Sequence, residues 1–545
     1  MKMDLPEIRP EERTPLVESL LTIIHELLDR NRQLEETVQQ LRDEIAVLKG
    51  QKPRPQIKPS CLESKPPSGS QQGDSAGKSG KRPGSAKRSK NQELTIHEER
   101  RLHIDHLPEG AVFLRYEPYV VQDLVIEPHN TRYWRARYRL ADGTSILAPL
   151  PADVIPGHFG STLTSFILSQ HYDAHVTRPL LLQQLHDFDV DISAGQLDHI
   201  LTEDKELFHE EKLELLLVGL MVSEWVGTDD TGARHQGKNY YCTTVGNDLF
   251  TYFETTASKS RINFLEVLHG GQALYVHNAT AVAYWQQHGL ARAVIEKLCQ
   301  ALGDRQLDAS GWQACLKELE ITGPLHVRLA TEGALLGGLV ARGVSPDLNV
   351  LSDGAPQFVV FVHASCWVHA ERPLQRLLPH NEEHRAAIEK VRQEIWDFYQ
   401  DLKAFRAQPD VGQKPILEAR FDTFCDQRTA YPSINSVLKE MREHKDDLLR
   451  VLDRPEVPLH NNGRESDIRE YVKRRKISGS TRNESGRRCR DTFASLKKTC
   501  RKLGVVFWDY LKDRVGRLGK IPRLGDLIRQ RAGETQSPNA QAVLT

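Results

Sequence analysis

No apolar run in this 545-residue chain is long enough to cross a bilayer. Runs such as Leu215 to Val222 fall far short of the roughly eighteen residues that a spanning helix needs. The sequence therefore argues against a membrane protein and against a membrane partner. The opening Met1-Lys2-Met3-Asp4-Leu5-Pro6 has no apolar core ahead of a small-residue cleavage site, so no secretory signal is expected and the predicted location is cytoplasmic. Cysteine is sparse and dispersed. Eight residues stand singly at 61, 242, 299, 315, 366, 425, 489 and 500, with no Cys-x-x-Cys pair, which speaks against a disulfide scaffold or a cysteine-rich zinc module and for free buried thiols.

Net charge is also nearly absent, at −1, but the average conceals an asymmetry. Residues 50–92 carry +8 and residues 464–502 carry +9, leaving −18 on the remainder. Two compact basic stretches on an acidic body suit a polyanion gripped at defined places.

Leu20, Leu27, Leu34, Leu41 and Leu48 recur every seven residues, and Val17, Ile24, Asn31, Val38 and Ile45 precede each by three. β-Branched a positions, Leu at d and one a-position Asn predict a parallel two-stranded coiled coil, a leucine zipper whose Asn31 fixes register. The alternative is one amphipathic helix packed on its own protein, whose apolar stripe would normally be wider. Residues 51–93, rich in Pro, Ser, Gly and Lys/Arg, cannot bury a core and predict a flexible basic linker.

Within a β-rich module over 94–160, the pattern between Ala111 and Leu150 switches to period two. Tyr119–Ile126 and Thr131–Leu140 read as strands, with Trp134, Ala136, Tyr138 and Leu140 on a packed face and Arg135, Arg137 and Arg139 on the other. Such a β-ribbon either touches DNA phosphates through Arg135 and Arg137 or is an ordinary solvated face. Residues 161–205 return to helical spacing. Pro179 to Asp187, a break at Phe188–Asp191, and Ser193 as N-cap of Ala194–Leu201 resemble a helix-turn-helix, with a plain helical hairpin as the alternative.

A helix over about 202–221 leads to a short strand, Trp225–Thr228, followed by Asp229-Asp230-Thr231-Gly232. Two more strands, Asn239–Val245 and Leu249–Thr255, and a helix starting near Lys259 come next. The run Leu348–Ser352 ends at Asp353-Gly354. Far downstream, Asn461-Asn462-Gly463-Arg464-Glu465 opens a helix with Glu465, Ile468, Arg469 and Val472 on one face. Three strands then a helix is how an RNase H-like fold opens. Two Asp on adjacent strands and a Glu on a packed helix can meet at one sheet edge, and hard oxygen ligands of this kind suit magnesium. Two such ions roughly 4 Å apart stabilise the attacking and leaving oxygens of a phosphodiester displacement.

Leu351-Ser352-Asp353-Gly354, Cys366-Trp367-Val368-His369-Ala370-Glu371-Arg372, Asn461-Asn462-Gly463-Arg464-Glu465 and Lys473-Arg474-Arg475-Lys476-Ile477-Ser478-Gly479-Ser480 together resemble the DDE transposases of the insertion sequence 66 family. The resemblance covers most of the chain, motif by motif in order. It implies that the catalytic, metal-binding carboxylates are Asp229, Asp353 and Glu465, with Asp229 preferred to Asp230 because the family motif is Asp, acid, Thr. It implies Mg2+, with Mn2+ as an alternative and two ions per site, and it implies double-stranded DNA, at element ends and target, as partner. A homodimer or higher oligomer holding two ends and small accessory proteins are implied as well. Many members carry a zinc-binding cysteine cluster before the helix-turn-helix. Residues 94–160 have no Cys, so no zinc is expected.

The expected fold class is thus multidomain α/β. The order is a coiled coil (1–50), linker (51–93), β-rich module (94–160), helix-turn-helix-like region (161–205) and RNase H-like catalytic domain (206–510). Helical insertions occupy about 271–345 and 375–455, the second before the last carboxylate, and a C-terminal tail (511–545) closes the chain. Lys259 and Arg261 at a helix start, and Arg464, Arg469, Lys473, Arg475 and Lys476 in the second basic stretch, are the expected DNA contacts. His369 either acts near the scissile phosphate or hydrogen-bonds inside the fold, and Trp367 reads as a core aromatic. A non-catalytic DNA-binding regulator and a nuclease that cuts without joining are the rival functions.

Overall fold

The structure, a computed structural model, describes residues 95–536 apart from 107–109, 152, 153, 156 and 380. The heptad segment, with Leu20, Leu27, Asn31, Leu34, Leu41 and Leu48, and the linker 51–93 lie outside the described residues.

The ribbon before the helices is smaller than the alternation suggests. Strands β1 (Arg137–Arg139) and β2 (Ser145–Leu147) pair antiparallel, and described residues 111–136 contain no strand. The hairpin closes on Asp142-Gly143, where Gly143 takes φ +87° and its N–H reaches Leu140 O at 3.0 Å. Trp134 is 87% exposed and Tyr138 is exposed too, so the expected packed face is not buried among the described residues. Alternation marks a strand only where a second strand or a core face is there to meet it.

Helices α1 (Ser161–Tyr172), α2 (Arg178–Asp187) and α3 (Ala194–Thr202) follow, matching the helical reading closely. Ser193 caps α3 in a capping box with Gln196. Leu181, Leu185, Ile192 and Leu197 are buried, but in a core that also includes sheet residues such as Val226, Val245 and Val350. Helix α4 (Glu206–Val222) leads into the central sheet.

That sheet is five-stranded, with β3 (Trp225–His235), β4 (Lys238–Gly246), β5 (Thr251–Thr256), β8 (Asn349–Ser352) and β9 (Val362–Ser365) in the order β5-β4-β3-β8-β9. The first three form an antiparallel meander, and β8 and β9 join parallel to β3. The first strand is longer than read from sequence. It runs through Asp229 and Asp230 to His235 because β4 pairs with it along its length, and Gln236-Gly237 makes the turn, both at positive φ. Helix α5 (Arg261–Leu268) follows β5. Between it and β8 lie β6 (Tyr275–Val276), α6 (Ala279–Gln287), α7 (Arg292–Leu302), β7 (Gln306–Leu307), α8 (Ala309–Glu318) and α9 (Pro324–Ala341), where a helical insertion was expected.

After β9 come α10 (Trp367–Arg376), α11 (Glu382–Ala407), α12 (Lys414–Asp426), α13 (Pro432–Glu443) and the short α14 (Lys445–Leu448). Trp367 is the core aromatic expected: it has no exposed surface, packs on Phe398 and Phe421, and donates its Nε1–H to Leu448 O at 2.8 Å. Helices α15 (Asn462–Ser478) and α16 (Glu484–Lys502) lie along β3, β4 and β5. The region named as a tail holds α17 (Phe507–Gly516) and α18 (Leu524–Gln536), with Leu524 and Ile528 buried in the main core.

The two helices over the sheet are locked by charge. Asp467 of α15 meets Lys498 and Lys502 of α16, and Glu470 meets Lys497, Lys498 and Arg501. Burial alone would raise the Glu470 carboxyl, but Lys497 and Lys498 outweigh it and hold it down to about 2. A carboxyl depressed in the folded state stabilises above its unfolded value, near 4.3, and that stability is lost as pH falls toward the folded value. Glu470→Gln, which removes the nearest anion from the buried Lys497, is expected to cost about 2 kcal/mol at pH 7. In thermal unfolding, the deficit relative to wild type should shrink as pH falls from 5 to 3; a deficit independent of pH would contradict the ion-pair account.

Candidate active site

The register of the parallel pair positions the first two carboxylates. Gly227 of β3 lies opposite Leu351 of β8. Carrying that register forward two residues sets Asp229 level with Asp353, which follows the last residue of β8. Alternation along β3 then separates neighbours, since successive side chains point to opposite faces. Asp230 accepts from Lys259 Nζ at 2.5 Å and from Gln357 Nε2 at 3.1 Å, while Asp229 shares neither partner.

The third carboxylate arrives on α15, whose start is pinned to β3. Asn461, buried, donates its side-chain amide to Thr228 O at 2.7 Å, one residue before Asp229, and its backbone N–H to Cys366 Sγ at 3.3 Å. Burial pushes the Cys366 thiol up to about 11, so it serves as a neutral acceptor. Gly227 makes this approach feasible: a Cβ there would stand 2.5 Å from Asn461 Oδ1 and 2.8 Å from Arg464 Cγ. Glu465 falls in the first turn of α15, where the helix dipole favours an anion.

The three groups sense one another. Burial pushes the Asp229 carboxyl up to about 7; the hydrogen bond from Asp230 N–H opposes this and the nearby charges of Asp353, Glu465 and Asp230 reinforce it. Each carboxylate of the trio has one oxygen held by the protein. Asp229 Oδ1 accepts from Asp230 N–H at 2.8 Å, Asp353 Oδ1 from Ala355 N–H at 3.1 Å, and Glu465 Oε1 from Arg372 at 3.3 Å. The other oxygen of each has no hydrogen-bond partner among the described residues. Three such free carboxylate oxygens are hard donors of the kind that Mg2+ or Mn2+ takes. Among the described residues no group of three His, Cys, Asp or Glu side chains gathers closely enough to hold a metal ion.

Two flanking side chains escaped the sequence reading in part. Arg372, in the Cys-Trp motif but not expected in the site, holds Glu465 Oε1. His369 Nε2 lies 3.5 Å from the same oxygen, and its buried Nδ1 has no hydrogen-bond partner among the described residues. Burial, then the Arg372 charge, lowers the His369 pKa, while Glu465 and Asp353 pull the other way. The shared motif Cys-Trp-x-His-x-x-Arg is the signal that could have pointed to both.

The expected DNA contacts divide sharply. Arg469, Lys473 and Lys476 are exposed and Arg475 half-buried on α15, and none has an ion-pair partner among the described residues. Arg135 and Arg137 are exposed on the β1–β2 ribbon, where they bridge to Ala148 O and Ser145 Oγ. Lys259 is occupied by Asp230 and lies over the Tyr241 ring. Arg464 does not reach a surface. It is 3% exposed and spends its guanidinium on Asp467, Asn247 O and Thr251 Oγ1, because α15 is packed against the sheet at that turn. Arg261 likewise turns inward to Tyr284, Pro356 O and Glu332, tying α5 to α6 and α9. Both are corrections: a helix start or a basic run does not tell which cations are needed inside.

No helix among the described residues is long and apolar enough to cross a membrane. A family model described as "Transposase IS66 family" matches residues 357–488, a span that contains Glu465 and the Cys-Trp-x-His motif but begins after Asp353. Over 321 residues, 58% of its length, the chain is 39% identical to an uncharacterized protein, y4jO, of Sinorhizobium fredii (strain NBRC 101917 / NGR234), and covers all of that protein. No solved structure matches the chain.

Proposed function

The chain belongs to the IS66 transposase family, and from that premise we propose that it is a DNA transposase of the DDE type, binding the ends of a mobile element and catalysing metal-dependent strand cleavage followed by strand transfer. The observation that carries this reading is the trio itself: Asp229 within β3, level with Asp353 just after β8, and Glu465 in the first turn of α15, each with one carboxylate oxygen that has no hydrogen-bond partner among the described residues. The sheet order, an antiparallel meander continued by two parallel strands, supports an RNase H-like catalytic domain, and the helices between α10 and α15 support a helical insertion before the last carboxylate.

Asp229, Asp353 and Glu465 would hold the divalent ions. When bound there, such ions neutralise charge on a phosphodiester and acidify the attacking water or 3′-hydroxyl. The remaining work falls to the chain. Arg372 holds one oxygen of Glu465, and the pin from Asn461 to Thr228 O keeps the first turn of α15, which carries Glu465, against β3. Arg469, Lys473, Arg475 and Lys476 project from the same helix beyond Glu465 and suit the phosphates of duplex DNA, while α1–α3 and the ribbon with Arg135 and Arg137 are the candidate end-binding parts. The heptads of residues 17–48 are proposed to pair two copies, so that two active sites handle two ends together, with small accessory proteins as further partners.

The test is a strand-cleavage assay on the DNA flanking this protein's own gene, with magnesium or manganese, comparing wild type with Glu465→Gln. Metal-dependent nicks at one fixed position, absent in the variant, and joined products with target DNA are the expected result. Binding without cutting by the wild type would favour a regulator, and cutting without joining a nuclease.

A further inference from the structure

A second polar constellation lies directly behind Asp353. Ser352, the last residue of β8, places its Oγ 2.8 Å from His363 Nε2 on β9, and His363 Nδ1 lies 2.7 Å from Asp447 Oδ2 on α14. The residues are those of a hydrolytic triad, with spacings to match. The setting rules out a nucleophile. Ser352 has no exposed surface, His363 is buried, and the Ser352 oxygen already accepts the Gly354 N–H at 3.0 Å.

The chain of hydrogen bonds has one self-consistent direction. An ionised carboxylate can only accept, so the Nδ1–H of a neutral His363 donates to Asp447 and leaves Nε2 to accept from the Ser352 hydroxyl. That hydroxyl, oriented by its own donation, presents its remaining lone pairs to the Gly354 N–H. Arg450 secures the outer end: its Nε donates to His363 O at 3.1 Å, and its guanidinium lies 3.6 Å from Asp447. The inner end sets a turn. Gly354 holds φ +89°, which favours glycine, and this turn carries Asp353 Oδ1 onto the Ala355 N–H.

We propose that Asp447, His363 and Ser352 form a buried positioning relay that fixes the Asp353-Gly354 turn, and that through it the helical segment ending at α14 sets the position of the second carboxylate. The proposal rests on the reading of Asp353 as a metal ligand. It gives the helical insertion a task beyond filling space: α14 supplies the terminal carboxylate of the relay, so a shift of the insertion reaches Asp353 through three hydrogen bonds. The relay residues are positioning residues, and none touches substrate.

The experiment titrates Mn2+ alone into the full-length protein, reading free ion by electron paramagnetic resonance, for wild type, Asp353→Asn, Ser352→Ala, Asp447→Ala and Asp447→Asn. Partners that orient a metal ligand are typically worth ~10–100-fold in affinity, so Ser352→Ala and Asp447→Ala should each weaken Mn2+ binding within that range. Asp447→Asn, which keeps an acceptor oxygen for Nδ1–H, should recover most of it. The double variant Ser352→Ala/Asp447→Ala should be no weaker than the worse single one, since either change breaks the same chain; independent structural damage would add. In 15N-histidine NMR the His363 Nδ1–H signal should move in Ser352→Ala, although that change lies on the far side of the ring. If Asp353→Asn lowers Mn2+ affinity while Ser352→Ala and Asp447→Ala bind as wild type, the relay is overturned and the metal-site reading stands. If the wild type binds no more Mn2+ than Asp353→Asn, that reading fails and takes the relay's purpose with it.

Discussion

Asp229→Asn will abolish metal-dependent nicking while leaving the fold intact, and Asp230→Asn will not. The two residues are neighbours of the same type on one strand, so only their faces distinguish them. Asp229 is buried beside Asp353 and Glu465, and losing its charge removes a donor common to the trio. Lewis-acid stabilisation at such a site is worth several kcal/mol, and about 4 kcal/mol corresponds to roughly a 10³-fold loss of rate. Asparagine has the same shape and is neutral, so it also relieves the crowding of like charge. The metal-free variant should melt at or above the wild-type temperature at pH 8, where wild-type Asp229 must ionise against burial and its neighbours. Asp230 instead pairs with Lys259 and Gln357, and its neutral replacement should keep nicking within about tenfold, since an ion pair with a half-exposed lysine contributes little. Single-turnover nicking rates and melting curves of the two variants decide the matter. Equal losses would mean that Asp230 shares the chemistry and that the face assignment is wrong.

Gly227→Ala should be costly to both stability and rate, out of proportion to one methyl group. Its Cβ would lie 2.5 Å from Asn461 Oδ1 and 2.8 Å from Arg464 Cγ. Neither neighbour can yield easily. Asn461 is anchored through its amide to Thr228 O, and Arg464 is buried with its guanidinium bound to Asp467, Asn247 O and Thr251 Oγ1. The start of α15 must then lift from β3, at an overpacking cost of about 1–3 kcal/mol. Glu465 rides on that first turn. A displacement of about 1 Å in a catalytic group costs on the order of 10²-fold in rate, so nicking should fall by that much even at temperatures where the variant is fully folded. Denaturant unfolding and nicking of the same preparation test both halves. A variant that loses stability but not rate would show that Glu465 does not depend on the seating of α15.

Much of this was legible in the chain itself. Ser193 announced the start of α3 by its capping chemistry, the break at Phe188–Asp191 separated α2 from α3, and a Trp in an apolar context proved to be core. Four of the five strands were located in order and β9 was not, and one end was misjudged: β3 extends to His235 because an antiparallel partner continues alongside it, which no local pattern in β3 records. The ribbon at 119–140 failed for the converse reason, an alternating pattern without a partner strand among the described residues.

By itself the sequence determined what is local or periodic: the heptads, the helix starts, and the residue types at two strand ends and one helix start that make a DDE trio conceivable. Tertiary structure decided everything that depends on which face is covered. It set Asp229 and Asp230 on opposite sides of one strand, drew Arg464 and Arg261 inside while leaving Lys473 and Lys476 exposed, and joined Ser352, His363 and Asp447 across 95 residues of chain. The physical reason is the same throughout. Period two or 3.6 tells which side chains share a face, whereas the burial and partners of that face are set by residues that can stand hundreds of positions away in sequence.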